Sequence, residues 1–218
     1  MELLQDEELD DETREEFLTT MREQVDRLQK LTTDLLDLSR LDADSLELEL
    51  EPVPLRTLAN QVVGEFAAAA ARKDAVIDVV DHDAEVDIEA ICDPERTAQI
   101  VRVLVDNALV HTPAGTTVSI VARARRGSGP PVAELLVSDD GPGIRRRELT
   151  HVFDRFHSSD SGQGSGLGLA IARELARLME GTLEVASRPG NTVFTLTLPL
   201  APEREQRPRP RAREPLPA

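Results

Sequence analysis

The chain has 218 residues, of which 40% are apolar, which is enough for one well-packed domain with an appendage. Its net charge of −16 argues against a nucleic-acid surface, because such a surface needs a basic patch that displaces counterions. The single cysteine excludes an internal disulfide, and no apolar run approaches the ~18 residues of a membrane span, so we expect no span in this chain.

The first predicted element is a long amphipathic helix over residues 11–41, with Asp10 or Asp11 as its N-cap. One apolar stripe recurs along it every three or four residues, as in a bundle or coiled coil. The stripe consists of Leu18, Met21, Val25, Leu28, Leu31, Leu35 and Leu38. A lone helix cannot bury such a stripe, and the residues before it have room for only about two turns. We therefore expect a truncated helical hairpin that completes its core by dimerising.

The same region is strongly acidic, since residues 1–50 contain 17 Asp and Glu against 5 Lys and Arg, a net charge of −12. Such a face is either simply solvated or forms a surface for a partner protein, and the residues leave both interpretations open. Nucleic acid, itself an anion, is not a suitable partner for it.

A linker and a short strand follow, with Pro52 and Pro54 ending the strand pairing, and the pattern then becomes compact. Helices are predicted at residues 55–73, 94–111 and 166–180. Strands are predicted at residues 75–80, 86–92, 117–125, 132–138, 182–187 and 192–199. Antiparallel strands backed by helices predict an α+β fold, with the helices on one face of a mixed sheet.

The composition changes again near residue 201, where the chain becomes rich in Pro, Arg and Glu and loses its periodicity. This composition predicts a disordered tail. We therefore divide the chain into a partial helical hairpin at 1–46, a compact domain at 47–200 and a tail at 201–218.

The stretch LLVSDDGPGI, residues 135–144, joins a predicted strand end to two acids and two glycines. Gly141 and Gly143 carry no side chain, so a planar ligand could approach the backbone closely. Asp139 could accept a hydrogen bond from an exocyclic amino group such as that of adenine, a charge-assisted bond that contributes about 1.5–3 kcal/mol. The alternative interpretation is a polar turn without a ligand.

A second glycine-rich stretch, GQGSGLGLA, begins at Gly162 and leads at once into an amphipathic helix. Free backbone N–H groups at such a helix start can bind an anion. No strand precedes it, which does not fit a dinucleotide-binding fingerprint, and there is no P-loop motif. A polar loop before a phosphate-binding helix start is typical of a nucleotide lid, and a plain glycine-rich loop is the alternative.

The predicted helix 94–111 carries Asn107 among its apolar positions. Such an amide is either a satisfied polar residue near the core or a ligand that presents its carbonyl oxygen to Mg²⁺. A magnesium ion here would neutralise a triphosphate held by the second glycine-rich stretch.

Four motifs occur in order: Asn107 with HTPAG, then DDGPGI, then VFDRF, then GSGLGLA. They resemble the N, G1, F and G2 boxes of sensor histidine kinases, and the first helix resembles the second helix of the kinases' dimerisation and phosphotransfer hairpin. The resemblance covers roughly residues 1–200. It implies a mixed-sheet α/β sandwich of the Bergerat type, shared with DNA gyrase, the Hsp90 chaperone and MutL, with ATP and Mg²⁺ as cofactors.

The resemblance also implies roles for individual residues. Asn107 matches the Mg²⁺-binding amide, His111 the residue beside the nucleotide, and Asp139 the adenine-binding carboxylate with Gly141 and Gly143 beside it. The expected phosphate-binding turn consists of Gly164, Ser165, Gly166, Leu167 and Gly168. A lid is expected at residues 157–165, with Phe153 and Phe156 as its hydrophobic anchors. Arg155, between these two phenylalanines, matches a basic residue near the γ-phosphate.

The sequence departs from the family's pattern at the phosphate acceptor. His82, His111, His151 and His157 all lie outside a context like H-E-L-R-T-P, in which the family phosphorylates a histidine. The first residues resemble the end of the first hairpin helix. We therefore expect that this polypeptide does not phosphorylate itself on the usual residue.

Two valines also depart from the pattern. Val103 stands four residues before Asn107, where hydrolysing ATPases and serine kinases of this fold carry a glutamate base, so simple ATP hydrolysis and serine phosphorylation are not expected. Val110 stands where a lysine often touches the phosphates.

Two functional hypotheses follow. The first is the catalytic region of a sensor histidine kinase, which binds Mg-ATP and delivers the γ-phosphoryl group to a histidine outside this chain, for relay to a response regulator receiver domain. Its partners would be that regulator and either a histidine-bearing kinase chain or a second copy paired through the N-terminal helix. The second is a degenerate nucleotide-binding and dimerisation module that regulates a kinase partner. For either, we expect a cytoplasmic location, as part of a membrane-anchored sensor.

Overall fold

The computed structural model describes residues 10–43, 46–80, 87–127, 129–157 and 165–202. The helices are α1 (Asp11–Asp42), α2 (Leu55–Glu65), α3 (Ala67–Arg72), α4 (Pro94–His111), α5 (Arg146–Leu149) and α6 (Gly168–Leu178). The strands are β1 (Glu51–Pro54), β2 (Val76–Val80), β3 (Glu89–Cys92), β4 (Thr117–Arg125), β5 (Val132–Asp139), β6 (Thr182–Arg188) and β7 (Asn191–Pro199). The order of elements along the chain is α1, β1, α2, α3, β2, β3, α4, β4, β5, α5, α6, β6, β7.

Five strands form the main sheet in the order β2-β4-β5-β7-β6. The β2–β4 pair is parallel and the other three pairs are antiparallel, so the sheet is mixed. Inward and outward side chains alternate along β7, with Phe194, Leu196 and Leu198 buried. The helices α2, α4 and α6 pack together over this buried face. The predicted α+β class, with helices on one face of a mixed sheet, is confirmed.

A second, two-stranded sheet lies beside the main one, which the sequence did not predict. β1 pairs antiparallel with β3, with Val53 opposite Ala90. The predicted strand 86–92 is shorter in the structure, where β3 begins at Glu89; residues 81–86 lie outside the described part of the chain. The short pairing joins the linker to the compact domain.

The prediction of one continuous helix at 55–73 is wrong, because the structure has two helices there, α2 and α3, separated at Phe66. The Phe66 N–H donates to the carbonyl of Val63, three residues earlier, which is a tighter turn than that of an α-helix. Gly64, two residues before the break, lowers the local helix propensity by about 1 kcal/mol relative to alanine.

The helix α4 has the local signals that its sequence predicts. Pro94 occupies its first turn, and the Asp93 carboxylate accepts a hydrogen bond from the Arg96 N–H at 3.0 Å. The other carboxylate oxygen of Asp93 accepts from the Glu49 N–H at 3.0 Å, which fixes the linker against the start of α4.

The helix α1 is capped by Asp10, whose carboxylate accepts from the Thr13 N–H at 2.7 Å. Its apolar stripe divides into two parts. Leu31 and Leu38 pack against the core of the compact domain, whereas Val25 and Leu28 are 51% and 63% exposed. One part of the stripe therefore packs on the compact domain and the other is exposed. The sequence analysis predicted only a dimer interface for the whole stripe.

The folded chain continues to the end of the described residues, since the Ala201 N–H donates to the Glu89 carbonyl at 2.9 Å. The predicted disordered tail lies outside the described residues from residue 203 onward. In the part of the chain that the structure describes, no helix has both the length and the apolar character to cross a bilayer.

Candidate functional site

Asp139 ends β5 and is 9% exposed, which is unusual for a carboxylate. Burial raises the pKa of this carboxyl, and the neighbouring Asp140 raises it further, while the hydrogen bond from the Gly141 N–H opposes both. That N–H donates to one carboxylate oxygen at 3.0 Å and fixes the orientation of the side chain. The result is a largely buried acceptor at the C-terminal end of the central strand of the sheet.

The adjacent Asp140 has a different role. Its carboxylate accepts hydrogen bonds from the Thr116 hydroxyl and from the Thr117 N–H, the latter at 2.9 Å. The Thr116 hydroxyl is the main reason that the pKa of Asp140 is lowered. Of the two acids, Asp140 therefore braces the start of β4, and Asp139 is the one available to a ligand.

Gly141 brings the end of α4 against the end of β5. A Cβ at this position would lie 2.5 Å from the Thr112 methyl carbon and 2.8 Å from the Asp139 carboxylate. Thr112 directly follows α4, is buried, and donates its hydroxyl to the Ala108 carbonyl at 2.6 Å. Any side chain at Gly141 would therefore displace Thr112 or reorient Asp139.

Gly143 is required for a reason other than close approach of a ligand. Its φ of +80° lies in the left-handed region, and a Cβ there would lie 2.7–2.9 Å from the backbone of Arg188 and Pro189. The Gly190 N–H also donates to the Gly141 carbonyl at 2.8 Å. The glycine loop is thus packed onto the turn between β6 and β7.

Asn107 lies half-buried on α4, one turn after Val103. Val103 meets the start of α6, because a Cβ on Gly168 would lie 3.3 Å from one of its methyl carbons. Since one helical turn spans about 5.4 Å, Asn107 and the α6 start lie on neighbouring parts of one surface. Asn107 therefore lies one turn along α4 from the contact between Val103 and Gly168.

His111 is the last residue of α4. Its side chain is exposed, but neighbouring atoms exclude water from part of the imidazole ring. This partial burial lowers the pKa of the imidazole, Asp106 opposes the shift, and Lys73 adds to it. The Lys73 ammonium donates to the carbonyls of Leu109 and Thr112, where it caps the C-terminal end of α4.

The turn before α6 is joined to the VFDRF segment. Gly166 has a φ of +68°, and a Cβ on it would lie 2.7 Å from the Phe156 carbonyl carbon. The Phe156 N–H donates to the Gly166 carbonyl at 2.9 Å. Ser165 accepts from the Leu167 N–H at 3.2 Å and precedes Gly168, the first residue of α6. Gly164, with the rest of the expected lid at 158–164, lies outside the described residues.

The two phenylalanines of this segment differ in their surroundings. Phe153 packs edge-on against Phe194 of the core, with ring centroids 6.3 Å apart, and the Arg173 guanidinium lies 5.1 Å from its ring centroid. Phe156 is 63% exposed. Arg155 lies exposed between them, at the base of the expected lid.

Sequence reasoning missed one residue at this site. The Ser165 hydroxyl donates to the Asp34 carboxylate of α1 at 2.7 Å, and Asp34 is 9% exposed. Burial raises the pKa of Asp34, and the Ser165 hydrogen bond opposes that shift. In the sequence, Asp34 is one of 17 acids in the first 50 residues, and nothing local distinguishes it.

Within the described residues, no three His, Cys, Asp or Glu side chains are grouped so that they could hold a metal ion. A magnesium ion at this surface would therefore depend on an amide such as that of Asn107 together with oxygens that a ligand and water supply.

Two family profiles match the sequence. The profile of the histidine kinase-, DNA gyrase B- and HSP90-like ATPases matches residues 92–202. The profile of the His Kinase A (phospho-acceptor) domain matches residues 1–44.

Similar proteins are sensor kinases. The sensor histidine kinase TrcS of Mycobacterium tuberculosis is 37% identical over 86% of this chain and 37% of its own length. The kinase AfsQ2 of Streptomyces coelicolor is 39% identical over 81% of this chain and 31% of its own. The chain thus spans about a third of the length of these curated relatives.

The fold also matches solved structures. Full-length ShkA in complex with AMPPNP superposes with a TM-score of 0.73 at 31% identity, over 91% of this chain and 41% of ShkA. The mycobacterial sensor histidine kinase MprB superposes with a TM-score of 0.59 at 29% identity, over 70% of this chain and all of the MprB chain.

Proposed function

The chain belongs to the family of histidine kinase-, DNA gyrase B- and HSP90-like ATPases, as the catalytic region of a sensor histidine kinase, and we propose that it binds Mg-ATP and transfers the γ-phosphoryl group to a histidine. The family resemblance that the four motifs indicated is confirmed by these matches. The observation that carries the proposal is the buried Asp139 carboxylate beside the end of α4, the helix whose Val103 also lies against the glycine start of α6.

Asp139 would hold the adenine. Its carboxylate would accept the exocyclic amino group, and the Gly141 N–H keeps the carboxylate in one orientation for that bond. Burial raises the pKa of Asp139 in the free protein, and a bound amino donor would oppose that shift by stabilising the carboxylate. Purines without an exocyclic amino donor at this position should bind less tightly.

The start of α6 would hold the phosphates. Leu167 offers no polar side chain to cap the helix, and Gly166 and Gly168 leave backbone N–H groups accessible to an anion. Phosphoryl transfer depends on positioning and on electrostatic stabilisation of the phosphates, so the backbone supplies much of what the reaction requires. Arg155, in the adjoining segment, would bring a positive charge to the γ-phosphate.

Asn107 would hold the magnesium ion through its amide oxygen. Bound there, the ion would neutralise charge on the triphosphate. The fit is supported by the half-buried position of Asn107 on α4, one turn from the valine that touches Gly168.

The acceptor would be a histidine outside the four of this chain, none of which lies in a context like H-E-L-R-T-P. The exposed part of the α1 stripe, from Leu18 to Leu28, supports pairing with a second copy or with a histidine-bearing kinase chain. The acidic N-terminal region would then be the surface for a response regulator receiver domain. The resemblance to sensor kinases also supports a cytoplasmic location, as part of a membrane-anchored sensor.

Phosphate transfer from labelled ATP tests this function directly. The chain is mixed with a partner kinase that carries the acceptor histidine but has an inactivated nucleotide site, and label on the partner is followed with time. We expect transfer that depends on this chain and on Mg²⁺, and that Asp139→Asn needs a higher ATP concentration to reach. No label on any such partner, at saturating ATP, would contradict the proposal.

The two valines support a second candidate, a degenerate nucleotide-binding and dimerisation module. Val103 places a methyl group against the start of α6, where the family more often carries a polar side chain, and Val110 removes a charge near the phosphates. Val103→Asn with Val110→Lys distinguishes the two functions. If the wild-type chain is silent and the double variant transfers phosphate, the binding-module function is correct.

A further inference from the structure

Two histidines that flank the VFDRF motif, His151 and His157, lie side by side in the structure. Their ring centroids are 5.9 Å apart, and the ring planes are tilted by 44°. Two imidazoles that share one tetrahedral metal ion, through bonds of about 2.0–2.1 Å, have centroids about 5–6 Å apart. The two rings therefore have nearly the separation that a metal ion between them requires.

The backbone holds these two histidines on the same side of the segment 151–157. The Asp154 N–H donates to the His151 carbonyl at 2.9 Å, and the His157 N–H donates to the Asp154 carbonyl at 3.2 Å. Turns of three residues place the side chains of residues i and i+3 above one another. The separation of the rings is thus set by two successive backbone turns.

Asp154 orients the first of the two imidazoles. Its carboxylate lies 2.7 Å from Nδ1 of His151. Because a carboxylate only accepts hydrogen bonds, Nδ1 carries a proton, and in the neutral ring Nε2 keeps the lone pair that can bind a metal ion. Metal-binding histidines almost always donate their other ring N–H to such a partner, which fixes the tautomer and the orientation of the ring.

The surroundings of the pair leave room for water. The His151 side chain is 57% exposed and His157 is half-buried. Across the residues that the structure describes, no set of three His, Cys, Asp or Glu side chains could hold a metal ion, so water would complete the coordination of an ion at this pair. An ion held by two protein ligands and water exchanges with solvent, unlike one enclosed by four protein ligands.

From this geometry we propose that His151 and His157 bind one late transition-metal ion, such as Zn²⁺, with Asp154 as the carboxylate that orients His151. Imidazole ligands suit Zn²⁺, Cu²⁺ and Ni²⁺, whereas Mg²⁺ prefers oxygen ligands, so this site is separate from the proposed magnesium site at Asn107. A Cβ on Gly166 would lie 2.9 Å from the backbone nitrogen and oxygen of His157. The bound ion would therefore brace the segment on which the turn before α6 packs.

Calorimetry with Zn²⁺ tests the site on the full chain, without a histidine tag and without nucleotide. Excess Mg²⁺ is present throughout, so that it occupies the carboxylates of the acidic N-terminal region. Cys92 does not compete for Zn²⁺, because its side chain is fully buried and burial raises the pKa of its thiol to about 11.

We expect one Zn²⁺ to bind per chain. Asp154→Ala should weaken this binding about 10-fold, the lower end for loss of a residue that orients a metal ligand, and His151→Gln and His157→Gln should weaken it at least as much. His111→Gln is the matched control, because it removes an exposed imidazole from the end of α4 and should leave the affinity for Zn²⁺ unchanged.

The NMR signals of the imidazole rings provide a second measurement, on the wild-type chain. Cu²⁺ is paramagnetic and binds imidazole, so a small amount of it should broaden the signals of His151 and His157 before those of His111. Circular dichroism verifies that each variant used in the calorimetry keeps the wild-type helix content.

Three results would each overturn the metal site: no saturable Zn²⁺ binding in excess Mg²⁺, an affinity for Zn²⁺ that is the same in His151→Gln or His157→Gln as in wild type, or Cu²⁺ broadening that spares His157. Because these measurements contain no nucleotide, such results would leave the proposed kinase function standing.

Discussion

The α1 helix and the compact domain obtain their structure in different ways. The domain, from β1 to β7, buries its apolar side chains against one another, and Phe194, Leu135 and Leu196 are at most 2% exposed. Five of the seven residues of the α1 stripe, in contrast, are exposed in the single chain, with Leu28 63% exposed. The same hydrophobic pattern thus specifies a closed core in one region and an unfilled interface in the other.

This contrast bears on function. A region with a closed core can hold Asp139 and the start of α6 in fixed positions, as nucleotide binding requires. A helix with an unsatisfied stripe and one docked face can exchange partners, as signal transmission requires. We therefore assign chemistry to the compact domain and communication to α1.

The largest expected effect tests the closed core. Phe194→Ala should lower the free energy of unfolding by about 3–5 kcal/mol, because it removes a fully buried ring and leaves a cavity. Leu28→Ala should barely change the stability of the domain, but should weaken self-association at least about tenfold, since a buried leucine contributes about 1.5–3 kcal/mol. Chemical denaturation and sedimentation measure the two effects. Equal losses of stability in both variants would remove the distinction between the regions.

The second prediction concerns nucleotide affinity. Asp139→Asn should weaken binding of Mg-AMPPNP about 10- to 150-fold, the value of a charge-assisted hydrogen bond of about 1.5–3 kcal/mol. Asp140→Asn is the matched control, because Asp140 is bonded to Thr116 and Thr117 instead. Calorimetry should show a clearly smaller effect for the control. A larger loss of affinity in the Asp140 variant would mean that we assigned the wrong acid.

A pair of glycines sharpens the description of the domain. Gly143 and Gly190 both have a φ of +80°, but a Cβ meets backbone at 2.7 Å on Gly143 and nothing within 4 Å on Gly190. Gly190→Ala should lower the free energy of unfolding by only about 1–2 kcal/mol, the strain of holding an alanine in the left-handed region. Gly143→Ala should lower the free energy of unfolding clearly more, because the backbone at Arg188 also has to move. Denaturation curves that show the same loss for both would exclude a packing role for Gly143.

The smallest expected effect is a titration. Partial burial lowers the pKa of His111, so the imidazole should be neutral at pH 7, and NMR should find its titration below the ordinary value of about 6.5. Because the folded pKa is lowered, His111 should reduce stability as pH falls through that ordinary value. Bound triphosphate beside the ring should raise the pKa. A titration point above the ordinary value in the free protein would contradict the burial that we describe.

The sequence predicted those features whose determinants are close together in the chain. The acids and glycines of residues 139–143 lie within five positions, and the cap of α4 lies within four, so local rules identify them. The α+β class followed from periodicity, and the family from four motifs in order. The positions of the site residues that the resemblance implied remain predictions for a nucleotide complex to test.

Features that depend on distant residues were missed. The β1–β3 pairing joins segments almost 40 residues apart, and Asp34 meets Ser165 across a separation of 131 residues. The break at Phe66 was missed for a local reason, since a glycine two residues earlier only weakens a helix. Periodicity also cannot tell which of two surfaces buries a stripe, so Leu31 and Leu38 were assigned to the dimer alone.

The most direct test of the central claim is a crystal structure of the chain with Mg-AMPPNP. We predict that the adenine amino group lies within hydrogen-bond distance of the Asp139 carboxylate, that the phosphates contact the backbone of Gly166–Gly168, and that Asn107 binds the magnesium ion. A nucleotide bound elsewhere, or one whose adenine makes no contact with Asp139, would contradict the account.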